Sequence, residues 1–411
     1  MFKNHQELYK VSASTGKTQV WKAWSLKDEV CSNYGQLGGK MQTNSYKALP
    51  KNVGRSNETT ATEQAQVELQ AMYKDQMDNK HYFLSEIEAI EKAKVCRIPR
   101  KVTNFNKRKD KYENKTLYAS LKFNGSRGCV VEGEFFSKIG RKEEIKVNHI
   151  KEVISKLKYL GYATFDAEVY AHGLPLQRIR SAWLKPVRTD KEIIKVAKDF
   201  AKSIGEKFTS KEVTEAVEYL GYNPNEDAPL LKLHIFDIPS DTDRGYLTRQ
   251  EWMRNMQDTT DFEKITDYIE FEYGVRTENN KERETLLKEV VDYGYEGLVY
   301  YEPEGVYEYG KRSTNTMKEK PRLDGEGLVT GVELCKNGEG KLLMKASEAL
   351  GGVTFKCMMK GSRESRNYEV QQQFIGKWVT FKYEELSKAG IPTKPVAEET
   401  RLCDAKGQPL E

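Results

Sequence analysis

The chain has 411 residues, 38% of them hydrophobic, and a formal net charge of +5, which predicts two or three domains with real cores. No apolar run is long enough to span a membrane, and Met1–Lys10 lacks the apolar core of a signal peptide. The six cysteines form no CxxC pair, so we expect reduced thiols, a cytoplasmic setting and no structural zinc.

The positive charge is concentrated at the front of the chain. Residues 1–120 carry 21 lysines and arginines against 13 acidic residues, so the remainder sums to −3. Ten basic and two acidic residues lie between Lys92 and Lys115. A basic region beside a mildly acidic body indicates a polyanionic partner, although a solvated linker face explains this stretch equally well.

The first 80 residues are predicted to form a small separate module. Glu7–Val11 and Val20–Ser25 have the composition of strands, and the stretch 34–47, YGQLGGKMQTNSYK, is rich in turn formers. The segment from 40 to 55 contains no acidic residue. Its basic residues are candidates for contacts with DNA phosphates: Lys40, Lys47, Lys51 and Arg55.

Helices are predicted at three places from their starting residues. A capping box at Thr60 and Glu63 predicts a helix to about Met77. Two more are expected later in the chain, one from Asp190 and one from a Thr-Ser-Lys-Glu capping box at Thr209.

A lysine at the end of a short strand is the first candidate for chemistry. Leu117–Leu121 is typical of a strand and Phe123-Asn124-Gly125 of a turn, so KFNGSR presents Lys122 at a strand end. A deprotonated lysine amine can attack phosphorus or carbonyl centres. The alternative is that Lys122 is one of many lysines with no chemical role and that the glycine only forms a hairpin turn.

Carboxylates, an aromatic ring and a lysine pair follow along the chain. In FDAEVY, Asp166 and Glu168 alternate onto one strand face, where they could bind Mg2+ or form a solvated edge. Phe236 in HIFDI could stack on a nucleobase or belong to the core. Lys318 and Lys320 alternate onto one face in MKEK, an arrangement that favours a bound anion.

Six motifs in this order resemble those of a known family. They are KFNGSR, SKIGRK, FDAEVY, HIFDI, EGLVYY and MKEKPRLDGEG. The chain is similar in them to the nucleotidyltransferase domain of ATP-dependent DNA ligases. The tail from 374 to 401, with its Tyr-x-Glu-Leu and Gly-x-Pro positions, resembles the OB-fold end of the same enzymes. The likeness covers about Leu117–Arg401.

The front module resembles the WGR domain, a small DNA-binding module. Its tryptophans, its YGQLGGKMQ stretch and its closing helix carry the likeness, but Tyr34-Gly35-Gln36 stands where that domain has Trp-Gly-Arg. The missing arginine removes a phosphate contact for which Lys40 and Lys47 could substitute. A purely structural role is the alternative.

These resemblances imply an α+β multidomain protein. The expected parts are a β-rich WGR-like module, a basic linker, a nucleotidyltransferase domain of antiparallel sheets with helices, and a C-terminal OB-fold β-barrel. Their expected ranges are 1–80, 81–116, 117–322 and 323–411.

The ligase resemblance also implies roles for particular residues. Lys122 would carry AMP, and Glu168 and Glu296 would bind Mg2+ or Mn2+. The implied ATP contacts are Ser120, Leu121, Lys122, Arg127, Glu168, Phe236, Glu296, Lys318 and Lys320. The implied DNA contacts after the front module are Lys138, Arg141, Lys356, Lys360 and Arg363. Asn124 stands where the family usually has Asp, and Lys138 where it has Arg, so either Lys138 or Arg141 could contact ligand.

The function implied is an ATP-dependent DNA ligase that seals 5′-phosphate/3′-OH nicks in duplex DNA. We expect a monomeric, cytoplasmic protein of bacterial or viral type, with no membrane partner. An RNA ligase and a catalytically inactive nucleic-acid-binding protein are the alternatives. An NAD-dependent ligase and a capping guanylyltransferase fit less well, because the zinc cysteines of the former and the Arg-x-Asp-Lys signature of the latter are absent.

Overall fold

The computed structural model describes residues 2–12, 15–95, 98–239, 243–263, 265–335, 337–387 and 389–410. They form a front module, a middle domain built on two β-sheets and a closed C-terminal barrel. Among these residues, no helix is both long enough and apolar enough to cross a membrane.

The front module is an antiparallel sheet in which neighbouring strands follow chain order. Its strands are β1 (Leu8–Val11), β2 (Thr18–Leu26), β3 (Glu29–Gln36) and β4 (Met41–Lys47). The stretch 34–47, expected from its glycines to be a turn, turns only at 37–40. The rest is strand because its backbone pairs in register along β3 and β4.

Helix α1 (Ala61–Lys80) packs on this sheet and begins at the predicted capping box. The hydroxyl of Thr60 accepts a hydrogen bond from the Glu63 amide, and the Glu63 carboxylate accepts one from the Thr60 amide. Leu69 and Tyr73 of the helix pack against Trp21. Helix α2 (Glu86–Val95) follows.

In the part of the middle domain that the structure describes, ten strands form two five-stranded sheets. They are β5 (Lys101–Asn104), β6 (Leu117–Lys122), β7 (Ser126–Val131), β8 (Glu134–Ser137), β9 (Phe165–Tyr170), β10 (Lys232–Asp237), β11 (Ile269–Phe271), β12 (Val275–Thr277), β13 (Gly297–Tyr301) and β14 (Arg312–Glu319). The first sheet has the order β12-β6-β13-β14-β5, and the second β11-β10-β9-β7-β8. The pairings are antiparallel except β5–β14 and β10–β11, so the expectation of antiparallel sheets holds with these two exceptions.

Part of the predicted linker belongs to the middle domain. Strand β5 is an edge strand of the first sheet, and Phe105 and Tyr112 in the turns after it are buried against that sheet. The guanidinium of Arg100, almost fully buried, pairs with the buried carboxylate of Asp237, which also binds Arg249. Charges this deep need such partners, so this basic segment is packed structure rather than a solvated connection.

The described residues of the middle domain also form six helices. They are α3 (Asn148–Tyr159), α4 (Leu176–Leu184), α5 (Asp190–Ser203), α6 (Val213–Leu220), α7 (Tyr246–Phe262) and α8 (Asn280–Asp292). Helix α5 begins at the predicted residue. Helix α6 begins four residues after Thr209, with Glu212 as N-cap and no side-chain cap bond, so the predicted capping box at Thr209 is wrong.

The C-terminal part is a closed five-stranded barrel. Its strands are β15 (Leu323–Leu334), β16 (Gly340–Ala346), β17 (Thr354–Met359), β18 (Trp378–Tyr383) and β19 (Val396–Thr400), in the order β15-β16-β17-β19-β18. A one-turn helix, α9 (Tyr368–Gln371), lies between β17 and β18. The barrel has its own core, which includes Leu342, Met344 and Phe381.

Candidate active site

A cavity of about 530 Å3 is bordered by side chains from both sheets of the middle domain. The predicted site residues that line it are Leu121, Lys122, Arg127, Lys138, Glu168, Phe236, Glu296, Lys318 and Lys320. Ser120 and Arg141 are absent from the lining; Ser120 is buried, and no hydrogen-bond partner for its hydroxyl is found among the described residues.

Strand β13 brings together residues that lie almost 200 positions apart. It runs between β6 and β14, with Gly297 opposite Lys122 and Val299 opposite Lys318. The amide of Glu296 donates a hydrogen bond to the Lys122 carbonyl, 3.1 Å away. The candidate nucleophile, Glu296 and the lysine pair therefore converge at the ends of three neighbouring strands.

The close approach of β13 to the end of β14 requires a glycine at position 297. Its φ is +149°, and a Cβ there would lie 2.2 Å from the carbonyl oxygen of Glu319. A side chain would push β13 away from β14 and would separate Glu296 from the lysines.

Glu296 lies between two lysine amines. One carboxylate oxygen pairs with Lys122 Nζ, and the other lies 3.0 Å from Lys320 Nζ. Burial acts to raise the pKa of Glu296, but the positive charges of Lys122 and Lys320 outweigh it and lower this pKa below its ordinary value. Glu296 is therefore ionised at neutral pH and holds both amines at the cavity.

The amine of Lys318 forms no hydrogen bond or ion pair among the described residues, although the residue is half-buried. Burial lowers its pKa, and the positive charges of Lys122 and Lys320 lower it further. A group in this position gains from a bound anion, since an anion would offset both effects.

The second sheet supplies a rigid arginine beside an aromatic ring. Arg127 donates two hydrogen bonds to Asp166, at 3.1 and 2.7 Å, and the Tyr307 hydroxyl donates to the same carboxylate at 2.6 Å. The guanidinium carbon of Arg127 lies 5.4 Å from the ring centre of Phe236. Asp166 is fully buried, so its role is to orient Arg127 rather than to face the cavity.

Glu168 lies opposite Arg127 on the neighbouring strand. It accepts a hydrogen bond of 2.7 Å from the amide of Gly125, in the turn after Lys122. A Cβ on Gly125 would lie 2.5 Å from the Val169 carbonyl oxygen, so this close approach requires glycine. Burial raises the pKa of Glu168 to about 7, against the opposing charge of Lys122.

The carboxylates at the cavity suit a hard divalent cation such as Mg2+. Among the described residues, no three His, Cys, Asp or Glu side chains form a cluster that could hold a metal ion. Glu168 and Glu296 line one cavity, however. Mg2+ commonly takes one or two protein carboxylates together with phosphate oxygens and water, and this pair fits that mode.

The structure adds residues that the sequence did not point to. Arg100 and its neighbours from Pro99 to Val102 line the cavity, as does Lys394 of the barrel. Glu384 of the barrel pairs with Lys320 and with Lys394. For the residues from Pro99 to Val102, the only local signal in the sequence was a proline-arginine-lysine run at the start of a strand. For Glu384 and Lys394 of the barrel, the sequence contained no local signal.

The candidate DNA contacts differ in what surrounds them. Lys138 lines the cavity, whereas Arg141 is exposed to solvent and does not line it. Lys40, Lys47 and Arg55 are exposed on the front module. Three others are engaged with acidic residues: Lys51 with Glu68 at 3.6 Å, Lys356 with Glu333, and Lys360 with Glu398 at 2.9 Å. Arg363 donates to the Asn337 carbonyl at 3.3 Å.

Comparison with protein families shows to which family the chain belongs. Residues 98–320, more than half of the chain, match the family described as the ATP dependent DNA ligase domain. The chain belongs to the ATP-dependent DNA ligases. The match begins at 98, close to Arg100 and the start of β5, in agreement with the packing of this segment on the first sheet. No protein of curated function matches the sequence significantly.

Solved ligase structures share the fold of this ligase. A Lig E DNA ligase, from a structure–function analysis of DNA binding with a minimal scaffold, is 18% identical with a TM-score of 0.54; the match covers 74% of this chain and 98% of that one. A structure named Pmar-Lig_Pre is 17% identical with a TM-score of 0.55, over 76% and 71% of the two chains. At these identities the likeness establishes the fold alone.

Proposed function

We propose that this ligase seals nicks in duplex DNA, joining a 5′-phosphate to the adjacent 3′-hydroxyl through a Lys122–AMP intermediate. The observation that carries the proposal is the position of the Lys122 amine. It lies at a cavity of about 530 Å3, paired with Glu296 and bordered by Lys318, Lys320 and Glu168. This is an amine nucleophile beside positive charges that can hold a phosphate.

In the first step, the deprotonated Lys122 amine attacks the α-phosphorus of ATP. A P–N bond forms, the bond from the α-phosphorus to the bridging oxygen breaks, and pyrophosphate leaves. The Glu296 carboxylate, hydrogen-bonded to this amine, orients it and is placed to accept its proton. Lys318 and Lys320 offset the charge that develops on the α-phosphate oxygens.

The remaining side chains of the cavity fix the nucleotide. Phe236 offers a ring face for stacking on adenine, and Arg127, held by Asp166, is directed at the ribose or a phosphate. Glu168 and Glu296 are the side chains that would hold Mg2+ or Mn2+, which supplies charge neutralisation at the phosphate oxygens.

In the later steps AMP passes to DNA. The 5′-phosphate at the nick attacks the phosphorus of Lys122–AMP, which releases the lysine, and the 3′-hydroxyl then attacks the activated 5′-phosphate and releases AMP. We propose that the barrel is an OB-fold whose Lys356, Lys360 and Arg363 face the duplex. We also propose that the protein acts as a monomer and that its front module is WGR-like. The side chains that would contact DNA phosphates there are Lys40, Lys47, Lys51 and Arg55.

The test is the sealing of a nicked duplex that carries a labelled 5′-phosphate, with ATP, GTP or NAD supplied in parallel. We expect a sealed strand with ATP and a divalent cation, and none with GTP or NAD. A matched nick in an RNA duplex serves as the control for substrate class. Sealing of RNA but not DNA would make the enzyme an RNA ligase, and no sealing of either would overturn the proposal.

A further inference from the structure

A two-helix insert in the middle domain presents a row of lysines. The insert consists of α5 and α6, which pack on each other through their own small core, including Ile193, Ala197 and Ala216. Neither helix contributes to the large core beneath the second sheet. The insert is therefore a packing unit separate from that core.

The lysines of α5 are all on one side of the helix. Lys191, Lys195, Lys198 and Lys202 are exposed, at spacings of four, three and four residues. At about 100° per residue they fall within an arc of roughly 60°. None of the four has an ion pair or a side-chain hydrogen bond among the described residues, whereas Lys185, just before the helix, pairs with Glu192.

Acidic residues occur on α5 as well as on α6. On α5 they are Asp190 and Glu192 in the first turn, where they favour the helix dipole, and the exposed Asp199, which directly follows Lys198. The exposed acidic residues of the second helix, Glu215 and Glu218, and its N-cap Glu212 lie on α6. With four lysines and three acidic residues, α5 has a net charge of +1, and its positive charge is concentrated on the face that carries the row.

The segments on either side of the insert are tied to α4, which borders the cavity through its first residue, Leu176. Arg178 of α4 forms an ion pair with Asp227, seven residues after α6. Arg188, two residues before α5, donates hydrogen bonds to the carbonyl and the hydroxyl of Ser181 in α4. These contacts fix the position of the insert relative to α4 and the cavity.

We infer that the lysine row of α5 binds the phosphate backbone of the duplex that flanks the nick. The inference rests on the proposed function. The four lysines span about 16 Å along the helix, at a rise of about 1.5 Å per residue. Duplex DNA offers a phosphate charge about every 1.7 Å of its axis, so several phosphates lie within reach of the row. A rigid polyanion suits a row of unpaired cations on one face.

The experiment replaces the row by glutamine, as Lys191→Gln/Lys195→Gln/Lys198→Gln/Lys202→Gln. The dissociation constant for a nicked duplex is measured against salt concentration, with the wild type alongside. We expect binding to weaken by roughly 10- to 100-fold near 0.1 M salt. The log–log salt slope should fall by roughly 0.9 for each phosphate that the row no longer neutralises. The corresponding Lys→Arg variant should bind as the wild type does.

A matched variant controls for the removal of four charges. Lys151, Lys158, Lys281 and Lys288 are exposed lysines outside the insert and outside the front module, and their replacement by glutamine should leave the salt slope nearer to that of the wild type. Self-labelling with ATP should be unchanged in the row variant, because that step involves no DNA. Affinity and slope equal to the wild type, or an equal weakening of binding in both variants, would overturn the inference. A wild-type protein that seals no nick would instead contradict the proposed function.

Discussion

Glu384 of the barrel forms an ion pair with Lys320, which directly follows strand β14 at the candidate active-site cavity. Lys394 of the barrel lies 2.6 Å from the same carboxylate. Burial acts to raise the pKa of Glu384, but Lys320 and Lys394 outweigh it and lower this pKa to about 2. Lys320 is therefore shared between Glu296 of the middle domain and Glu384 of the barrel.

Glu384→Gln should lower the KM for ATP in self-labelling. Glu384 competes with the α-phosphate for Lys320, so its neutralisation frees a cation for the nucleotide. We expect a decrease of roughly threefold to tenfold, since tenfold corresponds to about 1.4 kcal/mol. Glu385, its exposed neighbour, provides the control variant Glu385→Gln. A KM that rises or does not change in Glu384→Gln would show that this ion pair does not compete with ATP.

Glu296→Ala and Lys320→Ala should each slow self-labelling by roughly 100- to 1000-fold, the range found when one positioned charge is removed from an active site. Glu296→Ala leaves two lysine amines without the carboxylate that orients them. The effect is measured as the rate of single-turnover labelling at saturating ATP. The control is Lys311→Ala, because Lys311 is an exposed lysine that directly precedes β14, whereas Lys320 directly follows it. Near-normal labelling by Glu296→Ala would make that carboxylate structural.

Arg127→Ala should reduce both activity and stability. Among the described residues, it leaves the buried Asp166 carboxylate with only the hydrogen bond from Tyr307, and removing one partner of a buried ion pair costs about 3–5 kcal/mol. The double variant Arg127→Ala/Asp166→Asn should regain much of the stability without regaining self-labelling. Chemical denaturation and labelling on the same samples separate the two effects. Recovery of labelling in the double variant would contradict a direct role for Arg127.

His81 should make the stability of the protein depend on pH. Its Nε2 is hydrogen-bonded to the carbonyl of Ile139, a cavity-lining residue, and burial lowers its pKa below the ordinary 6.5. At a pH between the lowered pKa and 6.5, the unfolded chain binds more protons at His81 than the folded chain does. The contribution of neutral His81 to stability is therefore fully present above pH 6.5 and is lost as the pH falls below that value. When the pH is lowered from 7.5 to 5, we expect His81→Gln to lose less stability than the wild type. Thermal unfolding of both proteins measures this loss. Parallel curves for the two proteins would contradict this.

Local patterns predicted the parts of the site that depend on a few neighbouring residues. The strand and turn around Lys122 follow from an apolar run and a glycine, and the shared face of Lys318 and Lys320 follows from strand alternation. In the structure, strand β6 runs from Leu117 to Lys122. Lys318 and Lys320 both line the cavity, although β14 ends at Glu319 and Lys320 lies just beyond it. The helix start at Thr60 was predictable for the same reason, since a capping box involves only four residues.

Long-range pairing was not predictable from these patterns. The position of β13 between β6 and β14 is set by sheet register, which no local motif specifies. Arg100 looked like one charge in a basic linker, because its partner Asp237 is 137 residues away. Likewise, the sequence shows the charge of Lys51, Lys356 and Lys360 but not the glutamates that lie beside them.

The most direct test of the account is covalent labelling by ATP that carries the label on its α-phosphate. The wild type should retain one labelled AMP per chain, and peptide mapping should place it on Lys122. Lys122→Ala should remain unlabelled while it still seals nicks that are supplied already adenylylated. Full labelling of Lys122→Ala, or AMP found on another residue of the wild type, would contradict the assignment of Lys122 as the nucleophile.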